Sequence, residues 1–431
     1  MHLRLITCRE RLWGPNGNPV LAAFNNLATF YEDQGRIDEA EELYTQALRG
    51  YEKAEKPNQE AMFNTMNNLG VLYKNRGHFR AAEAMYNRAL AGREELFGYN
   101  GDATLDSVHC LGLLYATEGQ LSEAAPLWER HLQGREQLYG PSDARTLIAV
   151  YDLGVLYDNQ DRIDQAIPLI ERALKGYERT RGNDDKMTID AMDKLGTMYA
   201  SHGQYGDAEA ILKRAARGYE KLYSAEHDAT GRTKRNLAKV YVRQDRLREA
   251  VIIYRDILQG YYEMRGPERA STGEVCSILA ELYEDLGQLD DAEEMAAQAL
   301  QIFDKTLGST NISAIEAAAT LGLLYAKQSK LDMAELMWER AVRGFEETKG
   351  PDHPSTLGQM HNLGRIYKMR SHPEEAKATL ERAFERAMRV LGPNESLTQE
   401  MGRDLASLYD NLGRTEEVMQ IYEQLRHGLN A

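Results

Sequence analysis

The sequence predicts an all-α fold, a solenoid of about ten helical hairpins, and three observations predict it. A leucine and a tyrosine four residues apart recur ten times at a spacing of 42, from Leu27 and Tyr31 to Leu405 and Tyr409, with no insertion or deletion. Glycine follows the tyrosine by four residues at Gly35, Gly77, Gly119, Gly203, Gly287 and Gly413, where a left-handed helix C-cap is expected. A second glycine closes the unit and is often followed by proline, as in Gly140-Pro141 and Gly350-Pro351. A fixed period of this length means one supersecondary unit copied along a line, so function is expected on an extended surface rather than in one catalytic pocket.

Each element follows from this pattern. In the first unit Phe24, Leu27, Ala28 and Tyr31 lie at helical spacing and form one face. After the C-cap comes an apolar residue such as Ile37, Leu121 or Leu289, and then Asp38, Ser122 or Asp290, which reads as a hydrophobic staple followed by a side-chain N-cap. The second helix carries a small residue at Ala40, Ala82 and their equivalents, large ones at Tyr44, Tyr86, Trp128, Tyr254 and Trp338, and alanine again at Ala47 or Ala89. The glycine-proline pair then stops it. Pro126 and Pro168 are placed near the first turn of their second helices, where proline costs least. The units are expected to start near residues 21, 63, 105, 147, 189, 231, 273, 315, 357 and 399, giving an array over 21–431. Residues 1–20 form a second-helix remnant and linker, because Thr7 to Gly14 matches Ala91 to Gly98.

Composition excludes several function classes. Apolar residues make up 42% and charged residues 28% of the chain, ample for a core, and no run of about 18 apolar residues suggests a membrane span. No secretory signal is recognisable, so a cytoplasmic location is the expectation. The net charge of -15 repels a phosphate backbone and argues against nucleic acid as partner. Cys8, Cys110 and Cys276 are too few and too scattered for a disulfide framework or a zinc site.

The order Leu69-Gly70, Tyr73, Gly77, Ala82, Tyr86, Ala89 resembles the tetratricopeptide signature, with units of 42 rather than about 34 residues. The segments from Asn25 to Leu48 and from Gly350 to Tyr367, with their N-L-A-x-x-Y helix and HP-x-T linker, resemble kinesin light chain repeats. The resemblance implies a right-handed superhelix whose first helices line a concave wall, and in that family the wall grips short peptides. No heptad segment of the kind that pairs with a motor heavy chain is present, so the resemblance does not carry the motor role. Similar arrays also serve as sensor regions of larger nucleotide-binding signalling proteins.

On such a wall the exposed positions are those equivalent to 22, 25, 29, 32 and 33. They give a basic band at Arg232, Arg235, Lys239 and Arg243, a second at His361, Arg365 and Lys368, and acidic residues between them at Glu274, Glu281, Glu284 and Asp285. Asn25, Asn64 and Asn67 resemble the asparagines with which the family holds a peptide backbone. One reading is a groove for a linear protein segment carrying acidic residues. The other is mutual neutralisation across helices, Asp193 with Arg235 for instance, leaving a solvated face. Both stay open on sequence.

Catalytic motifs are missing. His109-Cys110 and His131 invite a metal or nucleophile reading, yet no HExxH, GxSxG, phosphate loop or CxxC accompanies them. The expected function is therefore a protein-interaction scaffold without enzyme activity, cofactor or metal, able to self-associate through its ends. The alternatives are a sensor region of a larger signalling protein and, remotely, an enzyme with a pocket that no motif marks.

Overall fold

The computed structural model describes residues 12–224, 227–265 and 269–427; among them are twenty helices and no strand. The expected second-helix remnant falls largely outside these residues. The chain divides into two compact units after Gly218. The first contains α1 (Asn18–Asp33), α2 (Ile37–Lys53), α3 (Gln59–Asn75), α4 (Phe79–Phe97), α5 (Asp102–Thr117), α6 (Leu121–Tyr139), α7 (Ala144–Asn159), α8 (Ile163–Arg181), α9 (Lys186–Ser201) and most of α10 (Tyr205–Leu222). The second continues with α11 (Asp228–Arg243), α12 (Leu247–Arg265), α13 (Ala270–Asp285), α14 (Leu289–Thr306), α15 (Ile312–Lys327), α16 (Leu331–Thr348), α17 (Pro354–Met369), α18 (Pro373–Val390), α19 (Ser396–Asn411) and α20 (Thr415–His427). Odd helices open each hairpin and even helices close it. Within each unit some odd helices also touch one another, α1 with α3 and α3 with α5 in the first and α17 with α19 in the second, and so form stretches of wall.

The repeated residues build the hairpin. The leucines of the Leu27 series are buried throughout, each contributing about 1.5–3 kcal/mol by leaving water. Gly112 lies against the Trp128 indole, and a Cβ there would stand 2.4 Å from the ring, so glycine lets the two helices close on a large aromatic. At Tyr115, Tyr157, Tyr199, Tyr367 and Tyr409 the recurring tyrosine uses its hydroxyl to donate to a glutamate on an earlier even helix, a bond phenylalanine could not make. Tyr115 reaches Glu83 at 2.7 Å, Tyr157 reaches Glu129 at 2.6 Å, and Tyr199 reaches Glu171 at 2.7 Å. A cation covers the ring in several copies, with Arg36 3.9 Å from the Tyr31 centroid and Arg162 3.9 Å from that of Tyr157.

Between the two helices of a hairpin the chain turns through a left-handed residue, as the sequence suggests. Gly35 has φ 74° and Gly119 φ 77°, and Asp161, Asp245, Ser329 and Ser371 hold the same conformation at φ 58–62° without being glycine. The next backbone N–H, that of Arg36, donates back to the Tyr31 carbonyl at 2.8 Å, closing a Schellman turn. This tightness corrects the expected N-cap. Ile37 already opens α2, the cap is Arg36 with no side-chain bond, and Asp38 lies in the first turn, where it faces the helix dipole and pairs with Arg76 at 3.0 Å. Pro126 and Pro168 sit inside α6 and α8, past their first turns.

Side-chain caps occur instead at the odd helices. Asp143, Asp185 and Asn311 accept from backbone N–H groups two residues on, and His353 does so through Nδ1 at 3.1 Å. Pro354 then occupies the first turn, and the buried Thr356 donates its hydroxyl to Gly350 O at 2.8 Å. The HP-x-T linker is thus a cap, a helix starter and a strap across the preceding helix end.

Along the even helices runs a ladder of ion pairs between successive repeats. Arg88 meets Glu52 at 2.6 Å, Arg130 meets Glu94 at 2.7 Å, Arg172 meets Glu136 at 2.6 Å, and Arg214 meets Glu178 at 2.5 Å. In the second unit Arg340 pairs with Asp304 in the same way. The ladder is broken at Gln298, whose Oε1 accepts from Tyr262 at 2.9 Å, and one repeat earlier where Asp256 takes the arginine's place. There Lys234 reaches in from α11 and pairs with both Glu220 and Asp256 at 2.5 Å.

Candidate functional site

In the first unit the wall of odd helices is laced by polar contacts. Asn25 on α1 is half-buried, and its carbonyl oxygen accepts from Asn68 Nδ2 on α3 at 3.2 Å. Asn67 is buried and bonds Ser107 on α5 at 3.2 Å. Asn64 is exposed, and its oxygen accepts from the Arg93 guanidinium. Arg93, on α4, is 3% exposed and also donates to Ser107 Oγ at 2.8 Å and Ala103 O at 2.9 Å. Two of the three asparagines singled out from sequence are thus brought together around one buried cation, whose pKa burial pulls down. Asn25 bonds instead to Asn68.

In the second unit Arg232, Arg235, Lys239 and Arg243 follow one another along α11. Arg232, Lys239 and Arg243 are exposed and Arg235 half-buried. Among the described residues no ion pair engages Arg235, Lys239 or Arg243. The other basic band behaves differently. His361 is 4% exposed and meets Asp404 of α19 at 2.7 Å, Arg365 approaches the same carboxylate at 3.5 Å, and Lys368 donates to Ser407 Oγ at 2.9 Å. The His361 bond, aided by Arg365 and Lys368, holds Asp404 below the usual carboxylate range. Next to α11 the wall turns acidic, and between α13 and α15 it is dished by a recess of about 360 Å³ rimmed by Glu274, Glu281 and Glu316. Lys327 neutralises Glu284 at 2.5 Å.

The tetratricopeptide repeat family matches residues 19–95, 103–179, 153–221, 187–263, 274–347 and 320–389. The chain is a tetratricopeptide repeat protein. No curated protein matches it in sequence. Among solved structures it is similar to a putative kinesin light chain from Podosopora anserina with nearly identical repeats, at 24% identity over 47% of this chain and 95% of that one, TM-score 0.41. It is similar also to the apo form of RapI, at 13% identity over 86% of this chain and 98% of that one, TM-score 0.57. A third is a signal-transduction ATPase with a tetratricopeptide repeat sensor from Pyrococcus horikoshii, at 15% identity over 81% of this chain and 53% of that one, TM-score 0.51. The latter two likenesses concern the fold alone.

The even helices of this tetratricopeptide protein also send residues to the wall that the sequence did not single out as binding. Arg93 and Arg135 occupy the position that is Tyr51, Tyr177, Tyr219 or Phe303 in other repeats, so departure from the repeat was their available signal. Arg135 pairs with Asp102 and Asp106, and its Nε donates to His131 Nε2 at 3.1 Å. His131 in turn lies 5.0 Å from His109, which stacks on Trp128 and meets Asp152 at 3.1 Å. Burial lowers the His109 pKa, but its hydrogen bonds with Asp152 and Cys110 outweigh that and raise it to about 9. Burial, the His109 charge and Arg135 together push His131 down to about 3. The pair therefore divides into one cation and one neutral ring. Among the described residues no group of three or more His, Cys, Asp or Glu could hold a metal ion, and no helix is long and apolar enough to cross a membrane.

A second signal lay in the spacing. Asn25 with Asn68, His109 with Asp152 and His361 with Asp404 are each 43 residues apart, one repeat plus one residue. A wall position in one odd helix thus meets its neighbour's next position, a link that a single-helix reading cannot show.

Proposed function

We propose that this protein is a scaffold that holds an extended segment of a partner protein along its wall of odd helices, and that acidic residues of the segment meet α11. The observation that carries this reading is the row Arg235, Lys239 and Arg243 on one face of α11, beside the acidic wall of α13. Unlike the His361 band, these cations have no carboxylate within ion-pair distance among the described residues, so a partner's carboxylates complete them with bidentate or point-charge contacts. Adjacent bands of opposite sign also fix the direction in which a segment lies. Asn64 and Asn67 supply amide groups to the same kind of ligand in the first unit, at the cost of their bonds to Arg93 and Ser107.

The test is capture of partners from the native cell extract by the intact chain and by the variant Arg235→Glu/Lys239→Glu, across a salt series. Partners held by α11 should be lost from the variant, and from the wild type as salt rises. An identical set of captured proteins at every salt concentration would remove the electrostatic wall from consideration.

A further inference from the structure

Repeat seven departs from its neighbours at a position that fills space. Where other even helices carry Tyr44, Tyr86, Trp128, Tyr254 or Trp338, α14 carries Ala296. In repeats one and three that side chain is packed away, Tyr44 at 1% and Trp128 at 6% exposure. At Ala296 the bulk is missing, and the recess of about 360 Å³ between α13 and α15 takes its place. Ser277 widens it, because the equivalent wall position is Asn67, His109, Tyr151 or His361 in other repeats. The floor is apolar, formed by Phe303, Ala280 and Ala296 with Ile278 beside them. The rim is anionic on both sides, Glu274 and Glu281 from α13 and Glu316 from α15. Glu316 has Lys349 at 3.4 Å, whereas among the described residues Glu274 and Glu281 make no ion pair. Burial, with Asp285 and Glu284 nearby, raises the Glu281 pKa, the mark of a carboxylate that a cation would relieve.

An apolar floor under an anionic rim complements a side chain with an aliphatic stem and a cationic head. We propose that this recess takes a lysine or arginine side chain of the bound segment, its stem on Phe303 and its head among the three glutamates. The inference rests on the peptide-binding reading above and gives that reading a second chemistry. A segment that satisfies both α11 and this recess carries acidic residues a short way from a basic one.

The probe is a set of nonapeptide libraries of random sequence with the central residue fixed as Lys, Arg, Glu, Leu or Ala, each titrated against the intact chain. The lysine and arginine libraries should bind about tenfold more tightly than the leucine library, as expected for a few part-exposed charge pairs acting together. Ala296→Tyr should abolish that preference while leaving binding of the other libraries intact. The fold holds this side chain elsewhere, since repeat one packs Ala28 and Tyr44 in one core and Ala280 is the equivalent of Ala28. Glu281→Gln, on the exposed rim, should weaken the preference and its salt dependence without touching the core. Equal binding of the lysine and leucine libraries by the wild type, or a preference that survives Ala296→Tyr, overturns the recess and leaves the peptide reading standing. Failure of every library to bind overturns both.

Discussion

His131 stands where seven other repeats have alanine, among them Ala47, Ala89 and Ala173, and this one exchange gives the protein a pH response. His109, with its pKa raised to about 9, contributes stability that is complete below the unfolded value near 6.5 and is lost as pH rises towards 9. His131, pushed down to about 3, is neutral in the fold, so stability falls as pH drops below 6.5 and the unfolded chain takes up the proton. The two limbs meet in a maximum near pH 6.5. Urea midpoints measured from pH 4 to 9 should show both limbs, and His131→Ala should flatten the acid limb while keeping the alkaline one. An acid limb unchanged in that variant would assign it to other groups.

At the scale of the element, the left-handed turn is where local conformation and side chain disagree. Ser329 holds φ 59° after α15 with a Cβ that this region disfavours, and Ser329→Gly should stabilise the protein by about 1 kcal/mol, read as a higher midpoint in thermal unfolding; a midpoint that does not rise would mean the turn is not strained. These turns were legible in the sequence because glycine marks six of the ten. So was the hairpin itself, since the Leu27 and Tyr31 series follow the helical period without interruption. The N-caps at Asp38 and Asp290 were misread, because a three-residue turn leaves the apolar residue no room outside the helix. The site was legible only in part. Charges on one face of α11 follow from helical spacing alone, whereas the burial of His361 and the grip of Arg93 on Asn64 depend on contacts across helices, which one-helix periodicity does not encode.

At the scale of the molecule, contacts are dominated by neighbours in the chain, so stability is close to a sum of repeat and interface contributions. Unfolding in urea followed by far-ultraviolet dichroism and by tryptophan fluorescence should therefore not superimpose, since Trp128 lies in the first unit and Trp338 in the second; coincident curves would show that the whole array unfolds as one. Copies this similar also pose a sorting problem during folding, because a hairpin that docks on the wrong neighbour finds nearly the same apolar face. The interrupted ion-pair ladder answers it. An even helix carrying Arg88, Arg130 or Arg172 fits behind any glutamate of the series. The helix carrying Asp256 instead sets carboxylate against carboxylate unless Lys234 of its own hairpin stands between them. It also cannot supply the arginine that Glu94 or Glu136 finds in its own neighbour. Among interchangeable rungs this one carries an address, and it lets a chain of near-copies count from a fixed point.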